Sequence, residues 1–201
     1  MKIYFDGCSW TEGAELSNPE EERYSKLICN KMGAEETNLA KGGGSNDRIV
    51  RNLLVENNIE DYDLAIIQMS MAMRWEYYDD CKKEWIQLRP INAPSERESK
   101  KWLRYYYAHM YSDHFGNVYE HMYSQLVRDH CKVKGTPLIL LTNRHADGYK
   151  YSNLPTDFKF DLDISDSKYS RAPKGHPSEE GHLQITQDIL KVYDLMSSQQ
   201  Y

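Results

Sequence analysis

Asp63-Leu64-Ala65-Ile66-Ile67-Gln68-Met69 is a compact apolar run of strand length. Apolar side chains at successive positions fit a strand covered on both faces, as strands of a parallel sheet are. Two further runs share that character, Pro137-Leu138-Ile139-Leu140-Leu141 and the opening Lys2-Ile3-Tyr4-Phe5, while Glu35 to Leu39 is a weaker fourth. Helical patterns lie between and after them. Asn18-Pro19 and Glu20-Glu21-Glu22 lead into Tyr24, Leu27, Ile28 and Met32 at helical spacing, and Gly33 supplies a stop. Ser45 is placed to cap a helix carrying Ile49, Val50, Leu53 and Leu54. The last pattern, about Ser178 to Met196, is amphipathic through Leu183, Ile185, Ile189, Leu190, Val192 and Leu195. Strands alternating with helices predict an α/β fold, a three-layer α/β/α sandwich around a central parallel sheet.

With 201 residues the chain is long enough for one well-filled core, and a single domain over 1–201 is expected. No apolar run approaches the roughly 20 residues that span a bilayer, so no membrane partner is expected. Basic side chains number 25 against 31 acidic, a net charge of -6 that argues against a general phosphate-backbone binder and hence against nucleic acid. The opening Met1-Lys2-Ile3-Tyr4-Phe5-Asp6 lacks the charged lead and long apolar centre of a secretory leader. Cys8, Cys29, Cys81 and Cys131 are widely spaced with no C-x-x-C pair, which predicts reduced thiols and a cytoplasmic location.

From Arg74 to Gly135 the pattern changes. Trp75, Tyr77, Tyr78 and Trp85 fall in a charged, irregular stretch, after which Ser95 is placed to cap a long helical region through Cys131. This predicts a helical insertion at about 74–135, after the third strand. Of sixteen tyrosines, Tyr77, Tyr78, Tyr105, Tyr106, Tyr107, Tyr111, Tyr119 and Tyr123 lie within it. Their helical spacing favours packing between helices or a subunit contact, so any homo-oligomer is expected to form here. Trp75 and Tyr77, just past the third strand, are the candidates for substrate contact. The run Arg97, Lys100, Lys101 and Arg104 reads as an exposed helix face. Thr142 to Lys174 is expected to be a long polar loop.

In open α/β sheets, ligands bind beyond the carboxyl ends of the strands. Gly7-Cys8-Ser9-Trp10-Thr11-Glu12-Gly13, Lys41-Gly42-Gly43-Gly44-Ser45-Asn46-Asp47 and Gln68-Met69-Ser70-Met71 fall at such ends, and Gly175-His176-Pro177-Ser178-Glu179-Glu180-Gly181-His182 precedes the last helix. Together these segments resemble the SGNH, or GDSL-like, hydrolase family. That resemblance implies a flavodoxin-like strand order, Ser9 as nucleophile, His176 as general base, and the Gly43 N–H as part of an oxyanion hole. It implies no cofactor. A serine hydroxyl is a weak nucleophile at neutral pH, so the chemistry asks for a base within hydrogen-bond reach and N–H donors at the developing oxyanion.

Two departures from the family pattern stand out. Family members commonly carry Gly-x-Asn-Asp after the third strand, where this chain has Ser70-Met71-Ala72-Met73. Losing one oxyanion donor costs about 2.7 to 4 kcal/mol of transition-state stabilisation, and Asn46 on the glycine turn is the candidate substitute. The family's acid stands three residues before the histidine, where this chain has Pro173. Asp163 or Asp166 is then the candidate third member, or a backbone carbonyl orients the imidazole in a Ser-His dyad.

Rival readings of these residues remain. Cys8 is an alternative nucleophile, weighed against a small buried cysteine. His182 reads as a helix histidine bonded to backbone, and Ser45 as a helix cap. His176, His182, Glu179 and Asp6 match no recognised zinc spacing, so no metal is expected. The expected function is serine-dependent hydrolysis of an ester, a small acyl group on a carbohydrate or similar alcohol. The alternatives are a binding or structural protein that has lost catalysis, and an acyltransferase using the same site.

Overall fold

The structure is a computed structural model that describes residues 1–90, 101–142 and 161–198. Five parallel strands form the central sheet in the order β2-β1-β3-β6-β7, with β1 Lys2–Asp6, β2 Glu35–Asn38, β3 Leu64–Gln68, β6 Leu138–Thr142 and β7 Asp161–Asp163. This is the flavodoxin-like order of an open α/β sheet. In β3 all five residues are buried, as its continuous apolar sequence requires.

Alternate residues of the central strands face opposite cores. Ile3, Phe5, Leu64, Ile66, Ile139 and Leu141 pack on one side with Tyr24 and Ile28 of α3 (Tyr24–Met32) and Ile185 and Ile189 of α7 (Glu179–Ser198). Tyr4, Ala65, Ile67 and Leu140 pack on the other with Ile49 of α4 (Asn46–Arg51) and Val127 and Cys131 of α6 (Asp113–Lys134). Helices therefore cover both faces, and truncating a fully buried residue such as Ile66 to Ala costs about 2–5 kcal/mol. Ser45 caps α4 by accepting from the Arg48 N–H, as its sequence position predicts. Two short helices, α1 Ser9–Glu12 and α2 Pro19–Glu22, precede α3.

The stretch expected as an insertion divides in two. Its second half, α6, is the crossover that joins β3 to β6, with Val127 and Cys131 in the core, and so belongs to the basic fold. Its first half adds an antiparallel hairpin, β4 Trp75–Asp79 with β5 Glu84–Leu88, and a short helix α5 Lys101–Tyr105 that runs into a π turn over Tyr106–Met110. The long helix expected from Ser95 is interrupted because Tyr111 is extended and the Ser112 hydroxyl, accepting from the Phe115 N–H, starts a new helix. Ser95, Arg97 and Lys100 lie outside the described residues.

The hairpin is fastened to α4. Arg51 pairs with Glu76 at 2.8 Å, where the Glu76 side chain is only 2% exposed, and the Glu76 N–H donates to Asp47 Oδ2 at 2.8 Å. The loop expected from Thr142 to Lys174 contains a strand, β7, whose three residues Asp-Leu-Asp are too few and too polar to show a period in sequence. No helix among the described residues is long and apolar enough to cross a membrane.

Candidate active site

The carboxyl end of β1 runs into Asp6, Gly7 and Cys8, and Ser9 opens α1. Gln68, the buried last residue of β3, fixes this turn: its Oε1 accepts from the Cys8 N–H at 3.1 Å and the Thr11 hydroxyl at 2.8 Å. Gly7 is required there because a Cβ would lie 2.8 Å from Gln68 Oε1. Cys8 faces inward, 2% exposed, with Sγ 3.3 Å from Gln68 Nε2. Thr11 also bonds the Tyr24 hydroxyl at 2.7 Å, which links the turn to α3.

Ser9 Oγ lies 3.0 Å from His176 Nε2. The opposite ring nitrogen, Nδ1, lies 2.6 Å from Glu15 Oε2. Serine, imidazole and carboxylate thus form one continuous hydrogen-bonded line, with the geometry that general-base activation of a hydroxyl demands. The same carboxylate accepts from the backbone N–H groups of Lys174 at 3.0 Å and His176 at 3.3 Å, so it holds the histidine loop as well as the ring. Limited burial pushes the Glu15 carboxyl up, but the bonds from the His176 ring and these two N–H groups outweigh it and leave the carboxyl below its ordinary value. Glu15 has a left-handed backbone, φ 70°, which a non-glycine residue adopts only at a cost of about 1–2 kcal/mol.

Glu15 is the residue sequence reading missed. It stands close to Ser9 in the chain and 161 residues from its histidine, so no local motif joins them. Neither aspartate expected as third member takes that place. Asp163 accepts from the Ser165 N–H and hydroxyl, and Asp166 from the Lys168 N–H, each closing its own turn as short acidic side chains do. The dyad with a backbone carbonyl is likewise not what the ring shows, since Nδ1 meets a carboxylate.

The glycine turn lies alongside. The Lys41 N–H donates to Gly7 O at 3.2 Å and the Gly44 N–H to Lys41 O at 2.7 Å, which brings Gly42–Gly44 against the serine turn. Gly43 has φ +75°, and neither its N–H nor that of Ser9 donates to an acceptor among the described residues. Buried Asp6 anchors the same region by pairing with Arg48 at 2.9 Å and accepting from Asn52 at 2.8 Å, while Arg48 also donates to Leu39 O. Burial raises the Asp6 carboxyl, with Arg48 opposing. The Asn46 side chain is engaged twice with Ser70, donating to its O at 3.1 Å and accepting from its N–H at 2.7 Å. Asn46 thereby braces the glycine turn against the end of β3.

His182 is fully buried, accepts from the Tyr24 N–H at Nδ1 and stacks on the Tyr24 ring at 5.7 Å. Burial lowers it to about 4, which keeps it neutral as a packed helix histidine. Among the described residues no group of three or more His, Cys, Asp or Glu is arranged to hold a metal ion.

Trp75 and Tyr77, expected to meet substrate, line a cavity of about 420 Å³ with Glu76, Leu88, Trp102 and Tyr106. Ser9, Glu15, Gly43 and His176 are not among its lining residues. Trp75 is engaged by Phe115 at 5.9 Å, Tyr106 at 5.8 Å and Tyr119 at 5.7 Å, so it joins the hairpin to α6 and the π turn.

The sequence matches no protein-family profile and no curated protein. Solved structures do match. A psychrotrophic esterase, EstA, from Pseudoalteromonas sp., in a structure inhibited by monoethylphosphonate, aligns over 98% of both chains with a TM-score of 0.59 at 10% identity. A lipase from a goat rumen metagenome aligns over 96% of this chain and 97% of its own, with a TM-score of 0.53 at 14% identity. A two-domain esterase active on acetylated mannans aligns over 98% of this chain but only 50% of its own, with a TM-score of 0.53 at 17% identity. The open parallel α/β sheet with helices on both faces is therefore a fold shared with these esterases and this lipase.

Proposed function

We propose that this chain is a serine hydrolase cleaving an ester, a small acyl group such as acetyl on a carbohydrate or similar alcohol. The observation that carries the reading is the line from Ser9 Oγ through His176 to Glu15, at 3.0 and 2.6 Å. In this reading His176 Nε2 takes the Ser9 proton as Oγ attacks the carbonyl carbon, and Glu15 holds the Nδ1 proton and balances the imidazolium. The N–H groups of Ser9 and Gly43 hold the tetrahedral oxyanion, with Asn46 bracing the turn through Ser70. Collapse breaks the ester C–O bond, and the departing alkoxide takes the proton from Nε2. Water, deprotonated by the same nitrogen, then frees the acid and returns Ser9. No cofactor enters these steps.

The Glu15 carboxylate against His176 Nδ1 supports the hydrolase reading over a fold that has lost catalysis, because such catalysis asks for an acid behind the imidazole. The acetylated-carbohydrate substrate is suggested by the esterase active on acetylated mannans that shares this fold. Four unpaired cysteines fit the cytoplasmic location that forms part of this reading. Purified protein should release p-nitrophenol from the acetate ester faster than from esters of long acyl chains. Absence of turnover on every short-chain ester would sink the proposal.

A further inference from the structure

Two arginines near the glycine turn have no carboxylate partner among the described residues. Arg89 follows β5 and lies on Gly43: a Cβ there would sit 2.6 Å from its Nη1 and 3.0 Å from its Cζ, so a side chain at this position would make the guanidinium shift. The Arg89 Nε is buried and has no hydrogen-bond partner among the described residues. Arg74 is linked to the turn through Ser70. Its Nη1 donates to Ser70 Oγ at 3.1 Å, and that hydroxyl donates to Gly44 O at 2.5 Å. Arg48, the other arginine near the turn, is already paired with Asp6. Lys41 is exposed in the turn, and one acid is near: a Cβ on Gly42 would meet Glu12 Oε2 at 2.7 Å.

In a chain with more acids than bases, two partly covered guanidiniums at one turn have, among the described residues, no counter-charge of the kind such groups ordinarily take. An arginine presents a planar fork of donors that matches a carboxylate. We propose that Arg89, supported by Arg74, is a specificity-determining residue that receives a carboxylate on the substrate beside the ester being cleaved. The substrate class is then an acylated sugar acid, or an ester whose acyl group ends in a carboxylate. The hairpin acquires a purpose, since the Arg51–Glu76 pair that ties it to α4 also fixes where Arg89 emerges. This inference rests on the hydrolase reading.

The test compares kcat/KM for O-acetyl glucuronate against O-acetyl glucose, and for p-nitrophenyl hemisuccinate against p-nitrophenyl acetate. Labelling of Ser9 by a fluorophosphonate is followed in parallel. The wild type should favour the acid of at least one pair by about ten- to a hundredfold, the worth of one charge-assisted hydrogen bond. The preference should shrink as ionic strength rises. Which pair shows it tells whether the carboxylate sits on the alcohol or the acyl side. Arg89→Gln should lose most of the preference and Arg89→Lys keep part of it, in protein whose melting temperature confirms folding. Equal rates within both pairs in an active wild type would overturn the assignment alone, as would an Arg89→Gln loss equal for acid and neutral esters. A wild type with no turnover and no label on Ser9 would overturn the hydrolase reading and this inference with it.

Discussion

Glu15 Oε2 stands 2.6 Å from His176 Nδ1, although 161 residues of chain separate them. One carboxylate thereby orients the ring, fixes the tautomer that leaves Nε2 free to accept from Ser9, and ties down the backbone at Lys174 and His176.

Glu15→Gln should therefore lower kcat by about 10²–10⁴-fold, the range in which the loss of an orienting acid falls in comparable serine hydrolases. KM for a small ester should change little. Because the carboxyl lies below its ordinary value in the fold, its ionic hold on the loop is present at neutral pH and is lost only as acid titrates it through that lowered value. Steady-state kinetics at pH 7 check the first part. A Gln variant with wild-type kcat would remove Glu15 from the mechanism.

Cys8 and Ser9 are neighbours with opposite fates. Ser9→Ala should abolish turnover, while Cys8→Ala should keep the nucleophile and cost stability, because it removes a buried thiol from its place against Gln68. A melting temperature lowered by several degrees with kcat within about threefold of wild type is the expected pairing. If Cys8→Ala alone were inactive yet folded, the thiol would have to be given the serine's role.

At Asp47 the fold carries an acid at a cost. Burial, with Glu76 beside it, raises its carboxyl from 3.8 to about 6, against the bond it accepts from the Glu76 N–H. An acid raised in the fold binds its proton more tightly there than in the unfolded chain, so stability is fully present below pH 4 and declines as pH rises toward 6. Asp47→Asn can still accept from the Glu76 N–H. It should therefore stabilise the protein by about 1–3 kcal/mol above pH 6 and by little below pH 4. Chemical denaturation at pH 4 and pH 7.5 measures the difference.

Gly43→Ala should damage both the turn and its surroundings. A side chain at φ +75° is strained by about 1–2 kcal/mol, and its Cβ would displace the Arg89 guanidinium. With the N–H of residue 43 no longer aimed, kcat should fall by about 10²-fold or more. Unchanged kcat would take this N–H out of the oxyanion hole.

Much of the fold was legible because its strands are short apolar runs between capped or glycine-ended helices. Leu64–Gln68 and Leu138–Thr142 are buried on both faces, and Ser45 caps α4 as its position predicts. The hairpin was not legible, because β4 and β5 sit on the surface and their aromatic residues mask any alternation. Strand β7 is likewise three residues at the edge of the sheet. Ser9 and His176 could be found because each lies in a short motif at a strand end or before a helix. Glu15 could not, since its partner is brought to it only by tertiary structure. Its one local signal is an acidic residue two positions beyond Gly13, in a turn that offers it no partner of its own. Arg89 at Gly43 was equally hidden, for its approach depends on a hairpin that sequence periodicity did not reveal.

The most direct test of the central claim is covalent labelling with a fluorophosphonate, followed by intact mass and peptide mapping. An activated Ser9 should take one phosphonyl group at Oγ within minutes at pH 7–8, at a rate cut by about 10²-fold or more in Glu15→Gln and abolished in His176→Ala and Ser9→Ala. Folded wild-type protein that remains unlabelled, or that is labelled equally in the His176→Ala variant, would contradict it.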